Sequence, residues 1–274
     1  MPGKEQPQIE AFLRQLSRAP QSLLMLDYDG TLAPFHQQRD QAFPYPGIPS
    51  ALRDIMRDTS TRVVVISGRD ATEVVPLLSI HPPPEIWGLH GLQRRKPDGI
   101  LTTAHLEEWV LDALSDADRW LGYQQLRHLA ESKTGSIAVH WRGLSETGVE
   151  DVRGRVLLGW KPIAIRTGLD VMEFDGGVEI RAPVADKGDA VRILLSEAAP
   201  DACAAYLGDD ATDEHAFQAI AGRGLGLLVR PRSRRTAAQA WLKPGSELLA
   251  FLTQWWVACR KRGGSHDAAK AMSG

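Results

Sequence analysis

The chain has no asparagine, so it offers no acceptor for N-linked glycosylation. It has only two cysteines, Cys203 and Cys259, in 274 residues. Their spacing fits no zinc or redox motif, which leaves two packed thiols in a reducing compartment. No apolar run approaches the roughly 20 residues that cross a bilayer. The polar segment 1–10 lacks the basic-then-apolar order of a secretory leader. Long blocks of one charge sign are missing too, and the formal net charge is −2. That argues against a dedicated nucleic-acid or polyanion binder. The expectation is a cytoplasmic monomer with no membrane or nucleic-acid partner.

Three ligand motifs are also missing. No Gly-x-x-x-x-Gly-Lys-Ser/Thr loop occurs, which excludes a nucleotide-binding P-loop. A calcium loop opening at Asp27 would need Glu at its twelfth position, where Gln38 stands. Gly222-x-Gly224-x-Gly226 precedes an apolar run rather than following one, so it reads as a loop and not a dinucleotide fingerprint.

What is present is an ordinary globular composition, 43% hydrophobic and 24% charged. A chain of this length can build one large domain or two modest ones. The ends, 1–8 and 263–274, are polar or small and read as loose tails. Between them, helical spacing at 9–18, 51–57, 72–78, 190–195 and 213–220 alternates with apolar runs at 23–26, 62–66, 85–89, 204–207 and 226–229. That alternation predicts a doubly wound parallel sheet, an α/β core. The middle differs. An amphipathic stretch at 105–122, an alternating strand at 136–142, a helix at 150–160 and strands at 163–166 and 178–181 predict a small antiparallel sheet under two helices. An α+β insert over 105–182 would then split the core into 9–104 and 183–262.

The chemistry lies where the apolar runs end. Residues 23–26 close on Asp27 and Asp29, one residue apart, then Gly30 and Thr31. Ligands of open α/β sheets bind just beyond the carboxyl ends of strands. Two acids delivered there are costly to hold together unless a cation or a reaction uses them. Ser67 and Gly68 close a second run, and Gly208, Asp209 and Asp210 close a third. Lys187-Gly188 opens a helix that could present its lysine to the same edge. Together these residues suit phosphoryl transfer. A carboxylate can attack phosphorus, two or three carboxylates suffice for Mg²⁺, and Ser67 and Lys187 can stabilise charge on phosphoryl oxygens. Asp29 can protonate the leaving oxygen and later activate water.

Four segments, Asp27-Tyr28-Asp29-Gly30-Thr31, Ser67-Gly68-Arg69, Lys187-Gly188 and Gly208-Asp209-Asp210-x-x-Asp213-Glu214, resemble the signatures of haloacid dehalogenase superfamily phosphatases. The resemblance implies that Asp27 is the nucleophile and a Mg²⁺ ligand. It makes Asp29 the acid/base, giving the metal its backbone carbonyl. Asp209 becomes a further ligand, backed by Asp210 or Asp213. Ser67 and Lys187 would hold the phosphoryl group, with Gly68 and Arg69 beside it, and the insert would be a cap of the C2B type. Gly88-Leu89-His90-Gly91, Glu131-Ser132-Lys133, Ala138-Val139-His140-Trp141-Arg142 and Glu179-Ile180-Arg181 resemble trehalose-6-phosphate phosphatases in particular. By that resemblance Glu131, Lys133 and Glu179 bind sugar hydroxyls, which carboxylates accept and a lysine can also serve. His140 and Trp141 are expected to pack within the cap, and His90 could stand behind the site. The implied substrate is a small sugar phosphate, trehalose 6-phosphate. Sucrose 6-phosphate, mannosyl-3-phosphoglycerate or a sugar phosphomutase reaction are the alternatives.

Overall fold

The structure, a computed structural model, describes residues 6–260 except Asp175 and Val184. Most of the two expected tails therefore lies outside the described residues. Residues 6–8 are an exception: Pro7 opens helix α1 (Pro7–Leu16), and the Gln6 side chain pairs with the Trp241 backbone. A proline is well placed there, because the first helical N–H has no partner to lose.

The first core segment continues through β1 (Ser22–Leu26), α2 (Ile48–Asp58), β2 (Thr61–Ile66), α3 (Ala71–Leu78), β3 (Glu85–Gly88), β4 (Gln93–Arg95) and β5 (Leu101–Thr103). The inserted segment runs through α4 (Glu108–Tyr123), β6 (Ala130–Lys133), β7 (Ser136–His140), α5 (Glu146–Thr167), β8 (Asp170–Phe174) and β9 (Gly177–Arg181). The chain then returns through α6 (Lys187–Glu197), β10 (Cys203–Gly208), α7 (Glu214–Ile220), β11 (Gly224–Val229), β12 (Ala240–Leu242) and α8 (Ser246–Arg260).

Eight strands form one sheet in the order β12-β11-β10-β1-β2-β3-β4-β5. The strands from β12 to β3 are parallel, and β4 and β5 add an antiparallel edge. The central strands are apolar on both faces because helices cover both. Leu24, Leu26, Val63, Val65, Ala205 and Leu207 pack against α1, α2, α3 and α8. Their neighbours Leu23, Met25, Val64, Ile66, Ala204 and Tyr206 pack against α6 and α7. This is the two-residue period of a strand with each face buried. The register sets the site: Leu26 lies opposite both Leu207 and Val65. The residues that follow, Asp27, Asp209 and Ser67, therefore leave the sheet at one edge.

The insert forms a second, antiparallel sheet in the order β6-β7-β9-β8. Helices α4 and α5 cover one face, around Val110, Leu114, Val156, Trp160 and Ile180. Two expectations are corrected. Residues 163–166 are not a strand but the last turn of α5. Val152, Val156, Trp160 and Ala164 are all buried at a spacing of four, so the helical face continues past Pro162. Ile165, which suggested strand alternation, is 86% exposed. The strand is β8 instead, an edge strand with exposed Asp170 and Glu173, whose apolar signal is weak. The strand expected at 226–229 begins two residues earlier: Gly224 is not in a loop but within β11, where pairing with β10 satisfies its backbone groups. Cys203 and Cys259 are both buried. No helix among the described residues is long and apolar enough to cross a membrane.

Candidate active site

Backbone bonds carry the sheet one step beyond β1, where the Asp27 amide donates to the Leu207 carbonyl at 2.8 Å. Asp27 is 3% exposed, as are Lys187 and Asp209, and Asp213 is 0% exposed. Lys187 is the first residue of α6, whose N-terminus is held by reciprocal capping between Asp186 and Asp189. Its ammonium donates to Asp27 Oδ1 at 2.5 Å and to Asp213 Oδ1 at 2.7 Å.

Asp213 is fully occupied. Its Oδ1 also accepts the Tyr206 hydroxyl at 2.5 Å, and its Oδ2 accepts the amides of Asp209 and Asp210, both at 2.9 Å. Asp27 Oδ2, by contrast, is buried with no hydrogen-bond partner among the described residues. Carboxylate oxygens of Asp27, Asp209 and Asp213 lie within 4.8 Å of one another. Three buried acids thus face one ammonium. Burial pushes the Asp27 carboxyl up to about 7 despite Lys187, and burial, with Asp27 beside it, pushes Asp209 up as well. Lys187 is held charged because Asp213 and Asp27 outweigh the penalty of its burial. A hard divalent cation fits this imbalance. Asp27 and Asp209 are the carboxylates with capacity for it, since every acceptor of Asp213 is used.

Arg69 secures Asp29. Its Nε and Nη2 donate to the two Asp29 oxygens at 2.6 and 2.7 Å, and its Nη1 donates to the Arg39 carbonyl at 2.7 Å. Its guanidinium is therefore committed to the protein, although Arg69 lines the cavity. Ser67 is buried beneath the cavity wall, its Oγ accepting the Arg69 amide at 3.1 Å. Gly68, Asp29, Asp209 and Asp210 reach the wall.

The insert supplies the opposite wall. Across its sheet Glu131 pairs with Ala138, and Ala138 with Glu179, so both acids share one face. Lys133 donates to the Gly68 carbonyl at 3.1 Å and lies 3.7 Å from Glu179 and 3.9 Å from Glu131. Glu179 is held charged: burial opposes this, but His90, Lys133 and the 2.7 Å hydrogen bond from Ser136 prevail. Between the walls lies a cavity of about 430 Å³, lined by residues beyond the strand ends of the large sheet and by the insert, within the range of small-molecule sites.

A family model for trehalose-phosphatase matches residues 25–241, from the strand before Asp27 to β12. The chain belongs to the trehalose-phosphatase family. Among sequences of this kind, the trehalose-phosphate phosphatase of Mycobacterium marinum is 30% identical over 252 residues, covering 85% of this chain and 60% of the relative. A much longer protein of Mycobacterium tuberculosis, named as a glycosyl hydrolase, is 31% identical over 268 residues, covering 92% of this chain and 19% of the relative. The chain thus spans about a fifth to three-fifths of these two curated relatives. The fold is that of the C-terminal domain of Candida albicans trehalose-6-phosphate phosphatase, with a TM-score of 0.77, 18% identity, and coverage of 91% and 96% of the two chains.

The chain also brings to the cavity residues that sequence reasoning missed. Arg39 reaches from the loop after β1 to an ion pair with Glu131. Arg142 stacks on the Phe35 ring, 4.0 Å from its centroid. Neither loop has a periodic pattern that could have revealed this. His140 lines the cavity and contacts Glu131 at 3.0 Å, rather than packing in the insert's core as expected. Trp141, its neighbour on the opposite face, does pack there. His90 also lines the cavity, 3.1 Å from Glu179.

Proposed function

We propose that this chain is a Mg²⁺-dependent phosphatase that hydrolyses trehalose 6-phosphate to trehalose and phosphate. The observation that carries the proposal is one cavity with two chemistries. The core wall holds Asp27, with one open carboxylate oxygen, beside Lys187 and Asp209. The opposite wall holds charged groups suited to sugar hydroxyls, Glu131, Lys133 and Glu179. The family match favours a trehalose phosphate over other sugar phosphates.

In the proposed reaction Asp27 Oδ2 attacks phosphorus in line with the ester oxygen. The phosphorus–oxygen bond to the sugar breaks, and Asp29 gives the leaving oxygen its proton. Both Asp29 oxygens are engaged by Arg69, so Asp29 exchanges one of those bonds for the sugar oxygen. A water then attacks the aspartyl-phosphate, gives its proton to Asp29, and releases phosphate with Asp27 restored. Lys187 and the backbone at Gly68 stabilise charge on the phosphoryl oxygens, which is most of the work in phosphoryl transfer. Asp27, Asp209 and the Asp29 carbonyl would hold Mg²⁺. When bound, the ion neutralises phosphate charge and orients the group for attack.

Residues 105–182 would act as the cap, moving on the connections near 102–105 and 182–186 to exclude water. Glu131, Lys133 and Glu179 would then read the distal sugar ring, giving selectivity against smaller phosphates. The test is phosphate release from trehalose 6-phosphate, glucose 6-phosphate and sucrose 6-phosphate, with Mg²⁺ and with EDTA. A Mg²⁺-dependent preference for the first supports the proposal. Preference for another sugar phosphate discards the substrate assignment, and conversion without phosphate release points to a mutase.

A further inference from the structure

His90 occupies a costly position. It lies in the short helical turn Leu89–Gly91 between β3 and β4, where Leu89 and His90 both have positive φ, 50° and 58°. Two successive non-glycine residues in the left-handed region carry strain, and such strain persists only where the surroundings enforce it. Here they do. The Leu89 amide donates to the Arg69 carbonyl at 2.8 Å and the His90 amide to the Ser67 carbonyl at 2.9 Å. The turn is thereby fastened to the Ser67–Arg69 loop.

The imidazole lies against Gly68. A Cβ on Gly68 would sit 2.6 Å from His90 Cε1, so glycine is needed for the ring to occupy this place. From there His90 Nε2 reaches Glu179 Oε2 at 3.1 Å, across the boundary between the large sheet and β9. A charged carboxylate only accepts, so Nε2 carries a proton and donates it to Glu179. Nδ1 is buried without a hydrogen-bond partner among the described residues. Among the described residues the ring's one hydrogen bond is therefore the one to Glu179, whose other oxygen accepts from Ser136 within the insert. The proposed chemistry at Asp27 makes no use of this imidazole.

We propose that His90 is a positioning residue: it holds Glu179 in the orientation that reads the sugar, and couples that orientation to the Ser67–Arg69 loop. The assignment rests on the sugar-reading role of Glu179 given above. It explains why a strained histidine stands where a turn could be made without one. It also makes selectivity depend on the insert being seated, because the donor is on the core and the acceptor on the insert.

The experiment compares kcat and KM for trehalose 6-phosphate and for p-nitrophenyl phosphate, with Mg²⁺, in wild type, His90→Ala, His90→Gln, Glu179→Ala and the His90→Ala/Glu179→Ala pair. His90→Ala should lower kcat/KM for the sugar phosphate by about 10- to 100-fold more than for the aryl phosphate, the size expected for losing a hydrogen bond to a charged partner. His90→Gln, whose amide can donate in place of Nε2, should recover part of the loss. The double variant should lie within about threefold of Glu179→Ala, since the two residues act as one unit. Equal losses on both substrates, or effects of the two substitutions that multiply, would overturn the proposal even if Glu179→Ala alone abolishes selectivity. A wild type that does not turn over trehalose 6-phosphate would overturn the reading of the site and this proposal with it.

Discussion

Replacing Lys187 with methionine keeps most of the side-chain volume and removes the one ammonium that faces Asp27 and Asp213. Both ion pairs are short, 2.5 and 2.7 Å, and all three groups are buried. Water cannot screen what remains. Removing one partner of a buried pair costs about 3–5 kcal/mol, because the other charge is left without compensation. That is a large share of the roughly 5–15 kcal/mol by which domains are stable. Urea unfolding at pH 8 in EDTA should show a loss of this order. The loss should shrink toward pH 5. Asp27 takes up a proton below about 7 even beside Lys187, and a protonated carboxyl needs no ammonium. Turnover with Mg²⁺ should fall by about 10²–10³ or more, as for loss of an oxyanion donor. A stability loss below about 1 kcal/mol, the range of exposed pairs, or a loss that grows as pH falls, would refute the charge balance described here.

Asp27→Asn should abolish phosphate release while the far-ultraviolet circular dichroism spectrum stays unchanged, since an amide cannot attack phosphorus. Metal-free wild type should lose stability as pH rises from about 4 to about 7. Burial lifts the folded carboxyl of Asp27 to about 7, above its unfolded value near 4, so the contribution is present below the lower value and lost through the upper. Thermal melts in EDTA across that window should show the fall, and melts with Mg²⁺ should not. Tyr206→Phe removes the 2.5 Å bond to Asp213 and should cost about 1.5–3 kcal/mol in urea unfolding. Glu131→Ala should raise KM for trehalose 6-phosphate much more than for p-nitrophenyl phosphate; equal effects would remove Glu131 from the sugar site.

The core was legible in the sequence because its signals are local and periodic. Strands buried on both faces are continuous apolar runs, and the acids that end them stand out by contrast, as at Leu26-Asp27 and Leu207-Gly208-Asp209. The parallel register that gathers them follows from the fold class. Edge elements were less legible. β4 and β5 have three residues each, and half-exposed β8 lost its place to the end of α5, where Ile163 and Ile165 imitate a strand. Least visible were contacts between distant loops. Nothing near Arg39 announces Glu131, and nothing near His90 announces Glu179. Nor does local pattern reveal that Arg69 is committed to Asp29, which depends on the angle at which two loops leave neighbouring strands.

The central claim is that Asp27 attacks phosphorus, and acid quenching tests it most directly. Wild type would be mixed with trehalose 6-phosphate labelled with ³²P, quenched during turnover, digested, and analysed by mass spectrometry. Label on the Asp27 carboxylate, absent from Asp27→Asn, is the predicted result. Label on another residue, or phosphate release that persists in Asp27→Asn, would contradict the account.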